Sequence, residues 1–177
     1  MNTFFGRHLV HFHSRSGKCA GLLLLCIILY AGNSFASLTQ ADKVLVIKSK
    51  RLLLLLQNGS VLRQYDICLG RNPKGHKTRQ GDYRTPEGTY FIDSRKQSRN
   101  FHLALHISYP NREDVIRARS SRVSPGSQIM LHGLPEGITI DDLPYRDWTK
   151  GCIAVSNAAI EEIWELVPDG TPIEILP

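Results

Sequence analysis

In this 177-residue chain, Cys152 and His132 are the pair whose types and surroundings could do covalent chemistry. A thiol becomes an effective nucleophile when a neighbouring imidazole takes its proton, because the thiolate and not the thiol attacks a carbonyl carbon. Each residue sits beside a glycine, in MLHG and TKGC, at the end of one strand-like segment and the start of another. Glycine after His132 lets the backbone approach the ring, and glycine before Cys152 lets a substrate approach the thiol. Backbone amides around Gly151 and Cys152 are candidate oxyanion-hole donors.

Other candidates are weaker. His102 and His106 share one strand face at a spacing of four, but no Cys or carboxylate cluster completes a ligand set, so neither a metal nor a cofactor is expected. Lys74, His76 and Asp82 belong to an upstream loop that either lines a cleft or is simply solvated. Tyr109 is either core or cleft wall. Once an N-terminal segment is removed, Cys68 and Cys152 are the remaining cysteines, and in an oxidising compartment a disulfide between them is the default. Their contexts argue otherwise: Cys68 lies in the apolar YDICLG and reads as buried, whereas Cys152 follows a turn and reads as presented.

The elements that must position these groups begin at Lys43. VLVIKSK, RLLLLLQNGS and VLRQYDICLG read as strands around the Asn58-Gly59 turn signal. GRNPKGHKTRQGDYRTPEGTYFI is dense in Gly, Pro and cations until TYFI, which predicts a long, exposed and functional loop. FHLALHISYP alternates as a strand, NREDVIRARSS suits a short polar helix, and SQIMLHG ends a strand on His132. Ile160, Ile163, Trp164 and Val167 repeat at helical spacing behind Ser156 or Asn157 as N-cap, with Pro168 to stop the helix, so Trp164 is assigned to its buried stripe. TPIEILP reads as a last strand closing the sheet. The expected fold is one mainly β, sandwich-like domain over 43–177, with a few short helices including one near the C-terminus.

Residues 1–36 differ from the rest: Arg7, Arg15 and Lys18, no acidic residue, the apolar run Leu22 to Tyr30, and Ser34-Phe35-Ala36 before Ser37. This is the pattern of a secretory signal cleaved after Ala36, or of an uncleaved anchor, and it predicts export to the periplasm or cell envelope. Membrane contact is expected only through that segment if it stays. The whole chain carries 22 basic and 16 acidic side chains. Removing the three N-terminal cations leaves a charge of about +3, too mild to argue for nucleic acid. Nothing in the sequence defines an oligomer.

HGLPEGITIDDLPYRDWTKGCI resembles the signature of the L,D-transpeptidase catalytic domain family, in which His-Gly is followed, after a loop, by Ser or Thr, one residue, Gly and Cys. Sixteen residues separate His132 from Thr149, within the family's spacing. YDICLGRNPKGHKTRQGDYRTPEGTYFI, ISYPN and PGSQIMLHG are similar to other family blocks in the same order. The resemblance implies that Cys152 is the nucleophile, that His132 is its general base and acid, and that the Gly133 carbonyl orients the imidazole. Lys150, Gly151 and Thr149 are assigned to substrate binding, with Thr149 alternatively holding the turn by a side-chain hydrogen bond, a structural role beside the site. It further implies thioester chemistry on peptidoglycan stem peptides without a cofactor. Many members carry His before the Gly-Cys pair and Arg or Asn two residues after the Cys, where this chain has Lys150 and Ala154. Lys150 is therefore expected to lower the thiol pKa or to pair with a substrate carboxylate. The competing readings are a hydrolase on the same Cys-His scaffold and a non-catalytic wall-binding module closed by a Cys68 to Cys152 disulfide.

Overall fold

A computed structural model describes residues 39–144 and 146–177. The expected signal or anchor, residues 1–36, lies outside the described residues. The described chain forms a sheet of eight strands: β1 (Lys43–Ile47), β2 (Leu52–Gln57), β3 (Ser60–Asp66), β4 (Gly88–Ser98), β5 (His102–Ile107), β6 (Ile129–His132), β7 (Ile153–Ala154) and β8 (Pro172–Leu176). Their spatial order is β3-β2-β1-β8-β4-β5-β6-β7. Two helices join them, α1 (Arg112–Ser120) and α2 (Asn157–Leu166). Among the described residues no helix is long and apolar enough to cross a membrane.

The unbroken leucine run of β2 still obeys the two-residue period of a strand: Leu53 and Leu55 are fully buried, while Leu52, Leu54 and Leu56 are half-buried on the opposite face. Asn58 and Gly59, both at positive φ, make the two-residue turn into β3 that the sequence announces. The last strand closes the sheet from within, joining β1 to β4. It runs parallel to β1 and antiparallel to β4, with Ile173 and Ile175 buried in the core.

Strand β4 holds the two halves of the fold together. Gly88–Phe91 pairs with β8, and from Ile92 onward the strand pairs with β5, with a register shift between Ile92 and Ser94. An inserted residue of this kind bends a strand and sharpens its twist, which turns the second half (β4-β5-β6-β7) away from the first and gives the sandwich-like form. Val44, Val46, Leu53, Ile92, Leu105, Leu131, Ile153 and Ile175 fill the space between the halves, and α2 closes it with Ile160, Ile163 and Leu166. Trp164 is only half-buried; the Arg95 guanidinium lies over its ring at 5.1 Å.

The loop between β3 and β4 is long, as expected, but it is not simply exposed. Lys48 spans it from below, giving hydrogen bonds to Gly75 O (2.8 Å), Thr85 O (3.0 Å) and Glu87 Oε1 (2.9 Å). From above, His76 accepts the Glu87 amide at Nδ1 (3.0 Å) and sets Nε2 3.0 Å from Asp114, the buried carboxylate of the α1 capping box. Lys77 and Thr85 are buried within it.

Candidate active site

Strands β6 and β7 run parallel with Leu131 beside Ile153 and His132 beside Ala154. Side chains alternate across a sheet, so Leu131 and Ile153 point into the core while His132, Ala154 and Cys152 share the other face. Cys152 therefore lies one strand over and two residues along from His132, the separation at which diagonal cross-strand side chains still reach each other. Two short segments that look unrelated in the sequence are brought together by four paired residues.

The imidazole is fixed from three sides. His132 is 2% exposed, and its Nδ1 lies 2.6 Å from Gly133 O. That contact assigns the proton to Nδ1 and leaves Nε2 as the free base. Phe101 stacks on the ring at 4.5 Å and Trp148 meets its edge at 5.8 Å. Burial pushes the pKa below 6.5, opposed by the bond to Gly133, so the ring is neutral near neutral pH.

Gly133 lacks a side chain for a reason other than ring approach. A Cβ there would sit 2.4 Å from Asn157 Oδ1, which accepts the Leu134 amide at 2.7 Å. The glycine admits the start of α2, and α2 thereby fixes the carbonyl that holds His132.

Cys152 leaves a turn built by Thr149. The Thr149 hydroxyl donates to Cys152 O at 2.7 Å and accepts the Gly151 amide at 3.1 Å; the residue is 4% exposed. Thr149 thus holds the turn through its hydroxyl, the structural role open to it in the sequence. The same bond spends the Gly151 amide, which narrows the oxyanion expectation to the Cys152 amide. Gly151 itself is buried at φ +128°, and an added Cβ would lie 2.7 Å from Arg84 O. Arg51 clamps the preceding Asp147 through Nε and Nη2, and Asp147 accepts the Leu69 amide at 3.0 Å.

The thiol donates to Gln128 O at 3.6 Å. Burial pushes its pKa up; the Met130 amide and the charge of Lys77 pull it down by less. Burial thus raises the thiol and lowers the imidazole, and both shifts favour the uncharged forms. Lys77 is a cation that bears on the thiol, while Lys150 is exposed at the rim of the site. Ala154, at the second departure from the family pattern, is fully buried with Cys68 and Leu134, and Leu143 and Trp148 pack against that cluster.

Cys68 is 1% exposed and pairs with Ala154, not Cys152; both thiols are free, which removes the disulfide reading. His102 and His106 each take a separate carboxylate, Glu161 at 2.7 Å and Asp93 at 2.6 Å. Asp82 is an anchor for the loop, and Tyr109 is core, 2% exposed. Lys74 lines a separate hollow beside Lys48 and Pro177.

Cys152 borders a cleft of about 550 Å³ between the Lys77–Tyr83 loop and the segment from Ser124 to Ile129, with Lys150 at its rim. A second hollow of about 220 Å³, lined by Ser94, Lys96, His106 and Met130, shares Gln128 with it. Lys77, Gln128, Phe101 and Trp148 were not singled out in the sequence. A Lys and an Asp five residues apart in a loop, and a Trp one residue before Thr149, were the signals present for two of them.

The L,D-transpeptidase catalytic domain model, named YkuD, matches residues 41–175. YafK of Escherichia coli (strain K12), which bears the L,D-transpeptidase designation, is 32% identical over 109 residues, covering 60% of this chain and 37% of YafK. The chain thus spans little more than a third of that relative. Bd1075 of Bdellovibrio bacteriovorus aligns over 80% of this chain and 52% of its own length, at 26% identity and a TM-score of 0.54. Pgp2 of Campylobacter jejuni, a helical cell shape determining protein, shares the fold at 24% identity and a TM-score of 0.57, covering 75% of this chain and 46% of Pgp2.

Proposed function

The chain belongs to the L,D-transpeptidase catalytic domain family, and from that premise we propose that it forms or remodels peptidoglycan crosslinks in the cell envelope through an acyl-enzyme on Cys152. The observation that carries the reading is the placement of Cys152 and His132 on one sheet face, the imidazole tied by Nδ1 to Gly133 O so that Nε2 is the free base.

As the thiol attacks a peptide carbonyl of the donor stem, His132 Nε2 takes its proton and a C–S bond forms. The tetrahedral oxygen is met by the Cys152 amide. Collapse breaks the C–N bond, the imidazolium protonates the departing D-alanine amine, and a thioester remains. An acceptor amine then gives its proton to His132 while its nitrogen bonds the acyl carbon, and the C–S bond breaks to restore the thiol. Phe101 and Trp148 keep water from the ring and hold it in one plane. Two hollows that meet at Gln128 beside the thiol give room for a donor and an acceptor together, which favours transfer over release to water.

Incubating the purified protein with disaccharide tetrapeptides and separating the products tests the reading. Crosslinked dimer from wild type but not from Cys152→Ala is expected. Tripeptide without dimer means a hydrolase, and the absence of both products refutes the proposal.

A further inference from the structure

The cleft beside Cys152 is a cationic site with a buried donor in hand. Lys77 lines it although the residue is only 3% exposed. An ammonium has three N–H donors, and among the described residues Lys77 fills two: Asp82 Oδ1 at 2.8 Å and Arg79 O at 3.1 Å. Asp82 does not depend on Lys77 for its place, because it also accepts the amides of Thr78 (2.8 Å), Arg79 (3.0 Å) and Arg84 (3.1 Å). One carboxylate is therefore shared among three backbone donors and the lysine. The remaining lining carries Lys150 and polar residues such as Gln80, Ser124 and Gln128, with no acidic side chain among the described residues that border the cleft. Asp82 balances the charge of this buried ammonium, whose third N–H is left for an acceptor that enters the cleft.

We propose that the Lys77 ammonium anchors an anionic oxygen of the acyl donor, so that the cleft takes peptides bearing a free carboxylate close to the carbonyl that Cys152 attacks. This rests on the transpeptidase reading for the identity of the donor, while the anion site itself stands on Lys77 and its cleft. Buried charge-assisted hydrogen bonds are short and directional, so the anchor selects charge as well as shape. A neutral carboxamide in the same place loses the ionic part of the contact.

The test needs no turnover. Cys152 is alkylated at one fixed near-neutral pH with iodoacetate and with iodoacetamide, in wild type and in Lys77→Gln. Expected is a fall of about tenfold or more in the iodoacetate to iodoacetamide rate ratio of the variant, the loss that accompanies one charge-assisted hydrogen bond. In wild type, N-acetylglycine should protect Cys152 from iodoacetamide and N-acetylglycinamide should not. An equal change for both reagents would assign Lys77 to thiol activation alone and overturn the anchor. Equal protection by acid and amide would overturn it too, and that arm decides the matter if the variant does not fold. A protein that selects anions yet makes no crosslinks would refute the proposed function and leave the anchor standing.

Discussion

Replacing Thr149 by valine keeps the shape of the side chain and deletes the hydroxyl on which the nucleophile's turn depends. In the wild type that hydroxyl satisfies Cys152 O and the Gly151 amide, at a site 4% exposed where water does not substitute. Each buried polar group left without a partner costs about 1–3 kcal/mol. The two lie in one turn and relax together, so the summed cost is set at about 3 kcal/mol. For a domain of this size that lowers Tm by about 10 °C. Thr149→Ser keeps the hydroxyl and should cost no more than about 1.5 kcal/mol for the lost methyl. Thermal unfolding followed by circular dichroism gives the stability, and the iodoacetamide rate of Cys152 reports whether the thiol has moved. If the valine variant melts within about 2 °C of wild type and alkylates at the wild-type rate, the account of the turn is wrong.

Gly151→Ala, at φ +128° with Arg84 O 2.7 Å from the new Cβ, is expected to cost about 2 kcal/mol or more and to abolish turnover, read by denaturant unfolding and product formation. Burial holds the His132 pKa below 6.5, so the folded state binds its proton later than the unfolded chain. The stability it contributes is complete above 6.5 and is lost as pH falls from 6.5 through the folded value; unfolding free energies across that window should show the slope in wild type and lose it in His132→Gln. Burial raises the Asp82 pKa, but Lys77 and three amides together outweigh it and hold the carboxyl at about 2, adding stability that is present above 3.8 and disappears as pH falls through about 2, so Asp82→Asn should flatten the most acidic part of the same curve. A bulky disulfide reagent should label Cys152 in the native protein and reach Cys68 only after unfolding, since Cys68 is 1% exposed and its thiol pKa is raised by burial.

The chemistry was legible where the sequence places unusual residue types in a fixed order: Cys152, His132 and the glycine beside each. Strand existence was legible too, through the Asn58-Gly59 turn and the alternation around Leu105 and Ile173. Topology was not, because the alternating pattern of Pro172–Leu176 states only which residues face inward and not which strands they lie between. Register across β6 and β7 is a long-range property, and it alone sets His132 and Cys152 on one face. Thr149 was legible as a turn residue, but whether its hydroxyl faces inward or toward substrate depends on burial. Lys77 stayed hidden among the cations of its loop, since nothing local distinguishes a lysine buried beside Asp82 from a solvated one.

The most direct test of the central claim is the intact mass of the protein within the first turnovers after mixing with a disaccharide tetrapeptide. The account predicts a gain equal to the disaccharide tripeptide acyl group, located on Cys152 by peptide mapping and absent from Cys152→Ala. Product formed without any such adduct, or an adduct that survives in Cys152→Ala, would contradict it.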